Sequence, residues 1–334
     1  MNNLNGILSL GTLEVRGVDN RYTLEFERAI YNFRLAGDSA SYNPVANALN
    51  IGLANGMEVL VPVQSTEPEF GLVRPNADTP VEDNEPLYVE YEAIDGGGFI
   101  VPAFTSDEEL ELGDYPDVIH CPLADLIDNA RRWEGSTGIA VNPYNLTFNM
   151  FNELLDYMMK RPVRSTFGVV RSSVLNMHVG AIVNAANHTL LGGRGVDGAI
   201  HRMAGPKLRE ECRGYGGCGT GDAVITGSYD IDYVDAIIHT VGPVYSGKPQ
   251  DRVDLANCYL SSLEAAFENG ITSIAFPCIS TGGYGFPLDE AAKVSIMALA
   301  EWFDRHPKYA MNVYLCCFRD EEFKAYMEVL KGVQ

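Results

Sequence analysis

The sequence predicts two folded parts, a smaller α+β domain over residues 1–160 and an α/β domain over residues 165–334. Three observations carry this. The chain has 334 residues, more than one hydrophobic core usually organises. Its charge changes abruptly: residues 1–159 hold 26 Asp and Glu against seven Arg and no Lys, whereas the remainder is close to balanced. Finally, strand and helix patterns follow one another irregularly in the first half and alternate regularly in the second.

In the first half, Gly11–Gly17 has a strand pattern and Thr23–Ala36 a helical one, with Leu24, Ala29, Ile30 and Phe33 on one face. A second helix is expected over Asn43–Ala54, stopped by Asn55-Gly56. Glu58–Gln64 (EVLVPVQ) has the composition of a buried strand, and residues 65–86, rich in Pro, Glu, Asp and Asn, that of an exposed loop. Tyr88–Ala93 and Gly98–Phe104, joined through Asp95-Gly96-Gly97, predict a hairpin. Ser106 and Glu109 fit the cap of a short helix over Asp107–Leu112. A strand at Val118–Cys121, a helix at Leu123–Arg132, a strand at Gly138–Val141 and a helix at Asn149–Met159 complete this half. Pro162 then breaks the pattern within Lys160–Arg164, so the boundary is placed at 160–165.

In the second half, strands are expected at Phe167–Arg171, Ala181–Asn184, Ala223–Thr226, Ala236–Thr240, Ser273–Pro277 and Asn312–Cys317. Helices are expected at Val196–Ala204, Pro206–Glu211, Leu255–Asn269, Leu288–Arg305 and Glu321–Leu330. Such alternation places helices on both faces of a sheet, with ligands bound beyond the carboxyl ends of the strands.

Composition narrows the function. A net charge of −21, concentrated in the first half, repels a phosphate backbone, so nucleic acid is not expected as a partner. The seven cysteines form no paired Cys-x-x-Cys motifs, which argues against a structural zinc site. Met1–Gly6 lacks a charged start followed by an apolar run, and no apolar stretch is long enough to span a membrane. The expectation is a cytoplasmic protein with reduced thiols and no membrane association.

Two glycine-rich turns carry the chemistry. Leu191–Ile200 (LGGRGVDGAI) opens a helix soon after the strand ending in Asn184-Ala185-Ala186-Asn187. Pro277–Pro287 (PCISTGGYGFP) also links a strand to a helix. Glycines ahead of a helix let backbone N–H groups close around a phosphate. Neither turn is a Walker A sequence or a dinucleotide fingerprint. One such turn serves equally as a tight connection, but two in one sheet could hold a diphosphate from both sides. Tyr284, between glycines, either packs on a ligand or anchors its loop.

The run Ala181–Ala204 (AIVNAANHTLLGGRGVDGAIHRMA) closely resembles the first ligand loop of macro domains, specifically the MacroD-type hydrolases. The likeness continues through Gly205–Arg213, Gly219–Gly227, Ile237–Pro243, Asp254–Ser262 and Ala275–Pro287, and spans about Thr166 to Leu330. It implies a three-layer α/β/α domain with a mixed central sheet that binds ADP-ribose or ADP-ribosylated protein without cofactor or metal. By the same resemblance, Asn187 and Asp197 are the catalytic pair, the amide on the distal ribose and the carboxylate on the attacking water. Gly192, Gly193, Gly195 and Val196 on one side, and Ser280, Thr281, Gly282, Gly283, Tyr284 and Gly285 on the other, would hold the diphosphate and distal ribose. Asn184 and Ala186 join that lining, and Phe318 packs near the adenine. His201 and Arg202 fit the pattern and are read as structural.

Two positions depart from the family. Ser173, in Ser172-Ser173-Val174, stands where an Asp usually accepts the adenine amino group, so Ser173 and Val174 offer a weaker, uncharged contact. Arg194 replaces a common glycine and either narrows the entrance or offers a guanidinium to a phosphate or acidic partner. The implied activity is removal of ADP-ribose from ester-linked Asp or Glu, or deacetylation of O-acetyl-ADP-ribose. The alternative is a reader that binds without turnover. In the first half, Val59–Gln64, Ile100–Glu109 and Ile139–Tyr144 resemble the bacterial SseB N-terminal domain family, and the acidic charge fits docking of a protein partner.

Overall fold

The computed structural model describes residues 21–37, 41–64, 88–95, 97–113, 115 and 117–333. The expected strand at Gly11–Gly17 and loop at 65–86 lie outside these residues. The chain divides into two compact units, Met1–Tyr31 with Val45–Pro162, and Asn32–Pro44 with Val163–Gln334.

The elements of the first half are α1 (Arg21–Ala36), α2 (Asn43–Ala54), β1 (Glu58–Gln64), β2 (Tyr88–Val89), β3 (Glu92–Ala93), β4 (Phe99–Ala103), α3 (Asp107–Leu110), β5 (Asp117–Pro122), α4 (Leu123–Arg132), β6 (Ser136–Val141), β7 (Phe148–Phe151) and α5 (Asn152–Met159). They build two small sheets, ordered β2-β1-β5 and β3-β4-β6-β7. Two expectations are corrected. Tyr88–Ala93 is not one strand: Val89 pairs with Val63 in one sheet, while Glu92 and Ala93 pair with Ile100 and Phe99 in the other. The expected helix at Asn149–Met159 starts only at Asn152. Phe148 and Met150 are buried while Asn149 and Phe151 are exposed, and this alternation fits pairing with β6. Ser106 does cap α3, its side chain accepting from the Glu109 N–H.

In the second half, β8 (Thr166–Val170) leads through a single 3-10 turn (Val174–Asn176) to β9 (Ala181–Ala186), α6 (Gly195–Met203), α7 (Pro206–Gly214), β10 (Ala223–Gly227), β11 (Ala236–Val241), α8 (Pro249–Glu268), β12 (Ser273–Pro277), α9 (Leu288–Arg305), β13 (Asn312–Cys316) and α10 (Asp320–Val333). The helix α8 begins six residues before the expected Leu255. Pro249 fits its first turn, and the Asp251 carboxylate accepts from the Lys248 and Ser246 N–H groups at 3.2 and 2.7 Å.

The sheet order is β10-β11-β9-β12-β13-β8, parallel throughout except for the antiparallel edge strand β10. Each central strand splits its side chains between two cores. Val183, Ile238, Phe276 and Leu315 face a layer containing Leu255, Tyr259, Leu299, Trp302 and Tyr326 of α8, α9 and α10. Ile182, Ile237, Ala275 and Tyr314 face Ile200, Leu208 and Cys212 of α6 and α7. This period-two division makes the unit a three-layer α/β/α domain.

Ser273, 3% exposed, closes the end of the sheet opposite the strands' carboxyl ends by accepting the Gly180 N–H at 2.8 Å. Ser273→Ala would leave that buried N–H unpaired, costing about 1–3 kcal/mol. Amide hydrogen exchange at Gly180 is expected to accelerate in the variant, and unchanged protection would contradict this account.

Candidate active site

The carboxyl ends of all five parallel strands open into one cleft of about 690 Å³. Ala185 and Ala186 end β9 and Asn187 follows it, and Gly242 follows β11. Pro277 ends β12 and leads into Cys278 to Tyr284, Cys316 and Phe318 come from the end of β13, and Ser172 to Leu175 follow β8. This is where an open α/β sheet places its ligand.

Two loops form opposite walls. In the first, Gly192 and Gly195 have φ of +87° and +62°, which L side chains rarely adopt. A Cβ on Gly198 of α6 would come 2.4 Å from the Gly193 carbonyl, so the helix and loop touch backbone to backbone only because that position is glycine. Among the described residues no side chain caps α6, so the N–H groups of its first turn, at Gly195, Val196 and Asp197 on the cleft lining, are available to an anion. In the second loop Ser280 has φ +64° and Gly285 φ +69°. The turn is fixed by Gly285 N–H to Gly282 O and Phe286 N–H to Ser280 O, both 3.0 Å. The buried Ser280 hydroxyl has no hydrogen-bond partner among the described residues and borders the cleft, so it can serve a bound ligand. Gly242 is required opposite, since a Cβ there would lie 2.1 Å from Ser280 Oγ.

Asp197 forms the floor, 4% exposed. Its Oδ1 accepts from Asn184 Nδ2 at 2.8 Å and its Oδ2 from Asn187 Nδ2 at 3.2 Å, with His201 Nε2 3.5 Å from Oδ1. Burial raises the Asp197 pKa above the ordinary carboxylate value, opposed by the Asn184 hydrogen bond, His201 and Asn187. Burial also lowers the pKa of His201. Asn187 is locked in place. Its Nδ2 also reaches Gly192 O at 3.1 Å, and its Oδ1 accepts from the Thr189 N–H and hydroxyl at 3.0 and 2.6 Å. A carboxylate positioned by two amides at the base of a cleft can bind and orient a water molecule.

Of the residues expected at the ligand, Ser173, Val174, Ala186, Asn187, Gly193, Gly195, Val196, Asp197, Ser280 to Tyr284 and Phe318 border this cleft. Asn184 does not. It is fully buried behind Asp197 and acts on the site through that carboxylate. Gly192 and Gly285 also lie off the lining and shape the loops through their backbone. Ser173 caps the 3-10 turn by accepting the Leu175 N–H at 3.2 Å, so its hydroxyl already has one partner. Phe318 is 70% exposed, and Arg171 holds its loop by reaching both the Phe318 carbonyl and, at 2.7 Å, Asp320. Arg194 is exposed on the lining and pairs with no carboxylate among the described residues. The sequence reading missed Glu322, which borders the cleft while accepting from the Arg319 N–H and guanidinium at 2.7–2.9 Å. Its acidic neighbours in Asp320-Glu321-Glu322 gave no sign of which one faces inward. Gly242 on the lining was missed too, although it lies two residues beyond the strand expected at Ala236–Thr240.

The raised pKa of Asp197 has a consequence for stability. The folded state holds its proton more tightly than the unfolded chain, so the charge is a cost that is full above the folded pKa and fades as pH falls toward the unfolded value. Wild type is therefore expected to gain stability relative to Asp197→Asn as the pH is lowered from 7 toward 4, on top of a constant offset from the NH2 that the variant turns toward Asn184 or Asn187. A difference in melting temperature that stays constant over this pH range would contradict this.

The macro domain family model matches residues 183–295. The chain is 46% identical over 170 residues to the human ADP-ribose glycohydrolase MACROD2, a match covering 50% of this chain and 40% of that protein. It therefore spans less than half of that relative's length. A macro domain-containing protein of Methanosarcina mazei is 47% identical over 167 residues, 49% of this chain and 88% of that one. Among solved structures, the Oceanobacillus iheyensis macrodomain with ADP is 35% identical, covers 52% of this chain and 95% of its own, and has a TM-score of 0.48. Because the Methanosarcina mazei relative is 47% identical and is matched over 88% of its length, the chain belongs to the macro domain family.

Proposed function

We propose that the second half of the chain binds ADP-ribose in the cleft and hydrolyses the ester that joins it to an acyl group, either an Asp or Glu side chain of a protein or the acetyl of O-acetyl-ADP-ribose. The observation that carries the reading is Asp197, a buried carboxylate held by two amides where the two glycine-rich walls meet. The walls offer backbone N–H groups to a diphosphate, and Asn187 stands beside the carboxylate where the distal ribose would reach. A water held by Asp197 supplies its oxygen to the ester and its protons to the products, ADP-ribose and a carboxylic acid. The step calls on no metal. Relatives named ADP-ribose glycohydrolase, such as human MACROD2, support a hydrolase.

Arg194 and the substituted Ser173 favour a second reading, a module that holds ADP-ribose without turnover. The two are separated by incubating the purified protein with a substrate automodified on acidic residues and, in parallel, with O-acetyl-ADP-ribose. The proposal expects release of free ADP-ribose, falling at least about a hundredfold in Asp197→Ala, while ADP-ribose binding persists. Binding without release from the wild type would make the protein a reader. Full turnover by Asp197→Ala would remove that carboxylate from the mechanism.

A further inference from the structure

Asp197 is supported from behind as well as from the cleft. Asn184 of β9 and His239 of β11 are register partners on adjacent parallel strands, and neither has exposed surface. Asn184 Nδ2 lies 2.8 Å from Asp197 Oδ1 and 3.0 Å from His239 Nδ1. The other ring nitrogen of His239, Nε2, lies 3.0 Å from the hydroxyl of Thr226 on β10, which is 4% exposed.

The protons in this chain follow from donor and acceptor chemistry. An amide nitrogen has two protons and accepts nothing, so its two neighbours must both be acceptors. Asp197 Oδ1 is one. The other is His239 Nδ1, which must therefore be bare, and the ring proton sits on Nε2. That proton goes to Thr226 Oγ1, whose own proton can turn to the Gly227 or Ile237 carbonyl at 3.2 and 3.3 Å. If the Asn184 amide were reversed, its oxygen would face the carboxylate, and the ring could match it only by moving its proton from Nε2 to Nδ1. A ring held protonated on Nε2 thus disfavours a reversal that would turn a dipole against Asp197.

We propose that His239 is a positioning residue for the hydrolytic centre: uncharged and protonated on Nε2, it fixes the Asn184 amide so that an N–H points at Asp197 and keeps that carboxylate ready to bind water. This rests on the hydrolase reading of Asp197. Other titratable groups around the chain do not supply the same support. Burial pushes His239 down to about 3, so it stays neutral throughout the working range. From α6, His201 faces Asp197 Oδ1 at 3.5 Å, and burial lowers its pKa too. From α7, the Cys212 thiol lies 3.8 Å from His239 Nε2 and is pushed up to about 11, while Arg209 acts on His201 and Glu211 on Cys212. His201, Cys212 and His239 place their ligand atoms within 4.8 Å of one another. Both His239 nitrogens are nevertheless committed to Asn184 and Thr226, which leaves His239 no lone pair free for a cation and argues against the trio as a cation site.

The test uses the full chain with His239→Leu, which removes the acceptor, and His239→Asn, whose side-chain oxygen can stand near the position of Nδ1. Histidine ¹⁵N spectra of the wild type are expected to show Nε2 protonated and Nδ1 bare across neutral pH. The ¹³C carboxyl titration of Asp197 is expected to move upward in His239→Leu and return toward wild type in His239→Asn. With O-acetyl-ADP-ribose, kcat of His239→Leu should fall about ten- to a hundredfold with KM within about twofold, and the acid limb of its pH profile should move with the Asp197 titration. Should the leucine variant fail to fold, Thr226→Val frees the ring proton and is read in the same two titrations. A proton on Nδ1, an unmoved Asp197 titration, or an asparagine variant as impaired as the leucine one overturns the proposal. A wild type without turnover whose Asp197 titration still responds to His239 sinks the hydrolase reading and supports the coupling.

Discussion

A carboxylate taken out of water must be given hydrogen-bond donors, and in this protein the donors for Asp197 determine much of what surrounds them. Asn184 and Asn187 approach its two oxygens from opposite sides of the loop that follows β9. One reaches the carboxylate from inside the sheet, the other from the cleft. Desolvation outweighs these contacts and leaves Asp197 with a raised pKa. Such a group is costly for folding, and its raised pKa makes it a better proton acceptor than an exposed carboxylate. Its place in the first turn of α6 adds the positive end of a helix, which partly offsets the cost.

The walls of the cleft follow from the same constraint. To bring Asp197 under the ligand, α6 must begin immediately after a loop that doubles back over it. That approach is possible because positions 193 and 198 lack a Cβ. On the far side, Ser280 takes a left-handed conformation with its hydroxyl beside Gly242. Both loops emerge at the carboxyl ends of parallel strands that share one register. The sheet thus sets the distance between two sets of backbone N–H groups.

Much of this was legible in the sequence. Long apolar runs ending in glycine-rich turns located β9, β12 and both cleft walls, because strand period and turn chemistry are local properties. The start of α5 was lost since Phe148–Phe151 is apolar enough to continue a helical pattern, and only pairing with β6 shows it to be a strand. Tyr88–Ala93 was misread for a similar reason, its two ends being claimed by different sheets. The same limit applies at the site. Asn184 was read as a ligand contact because it lies in the Asn-Ala-Ala-Asn run. It lies deeper in the strand than Ala185 and Ala186, buried behind Asp197 and against a histidine 55 residues along the chain. No local pattern joins those two side chains; strand order does. Glu322 escaped notice because it faces the cleft from a helix that reads as a plain amphipathic end to the chain.

An amide ¹H–¹⁵N titration of the full chain with ADP-ribose asks whether the two loops hold one diphosphate over the Asp197 floor, since it reports each loop separately and requires no turnover. A joint grip gives saturable shifts concentrated in residues 193–197 and 280–285, with Asn187 side-chain signals moving at the same ligand concentration. Shifts in only one loop, or a saturating response elsewhere in the chain with both loops silent, would contradict it.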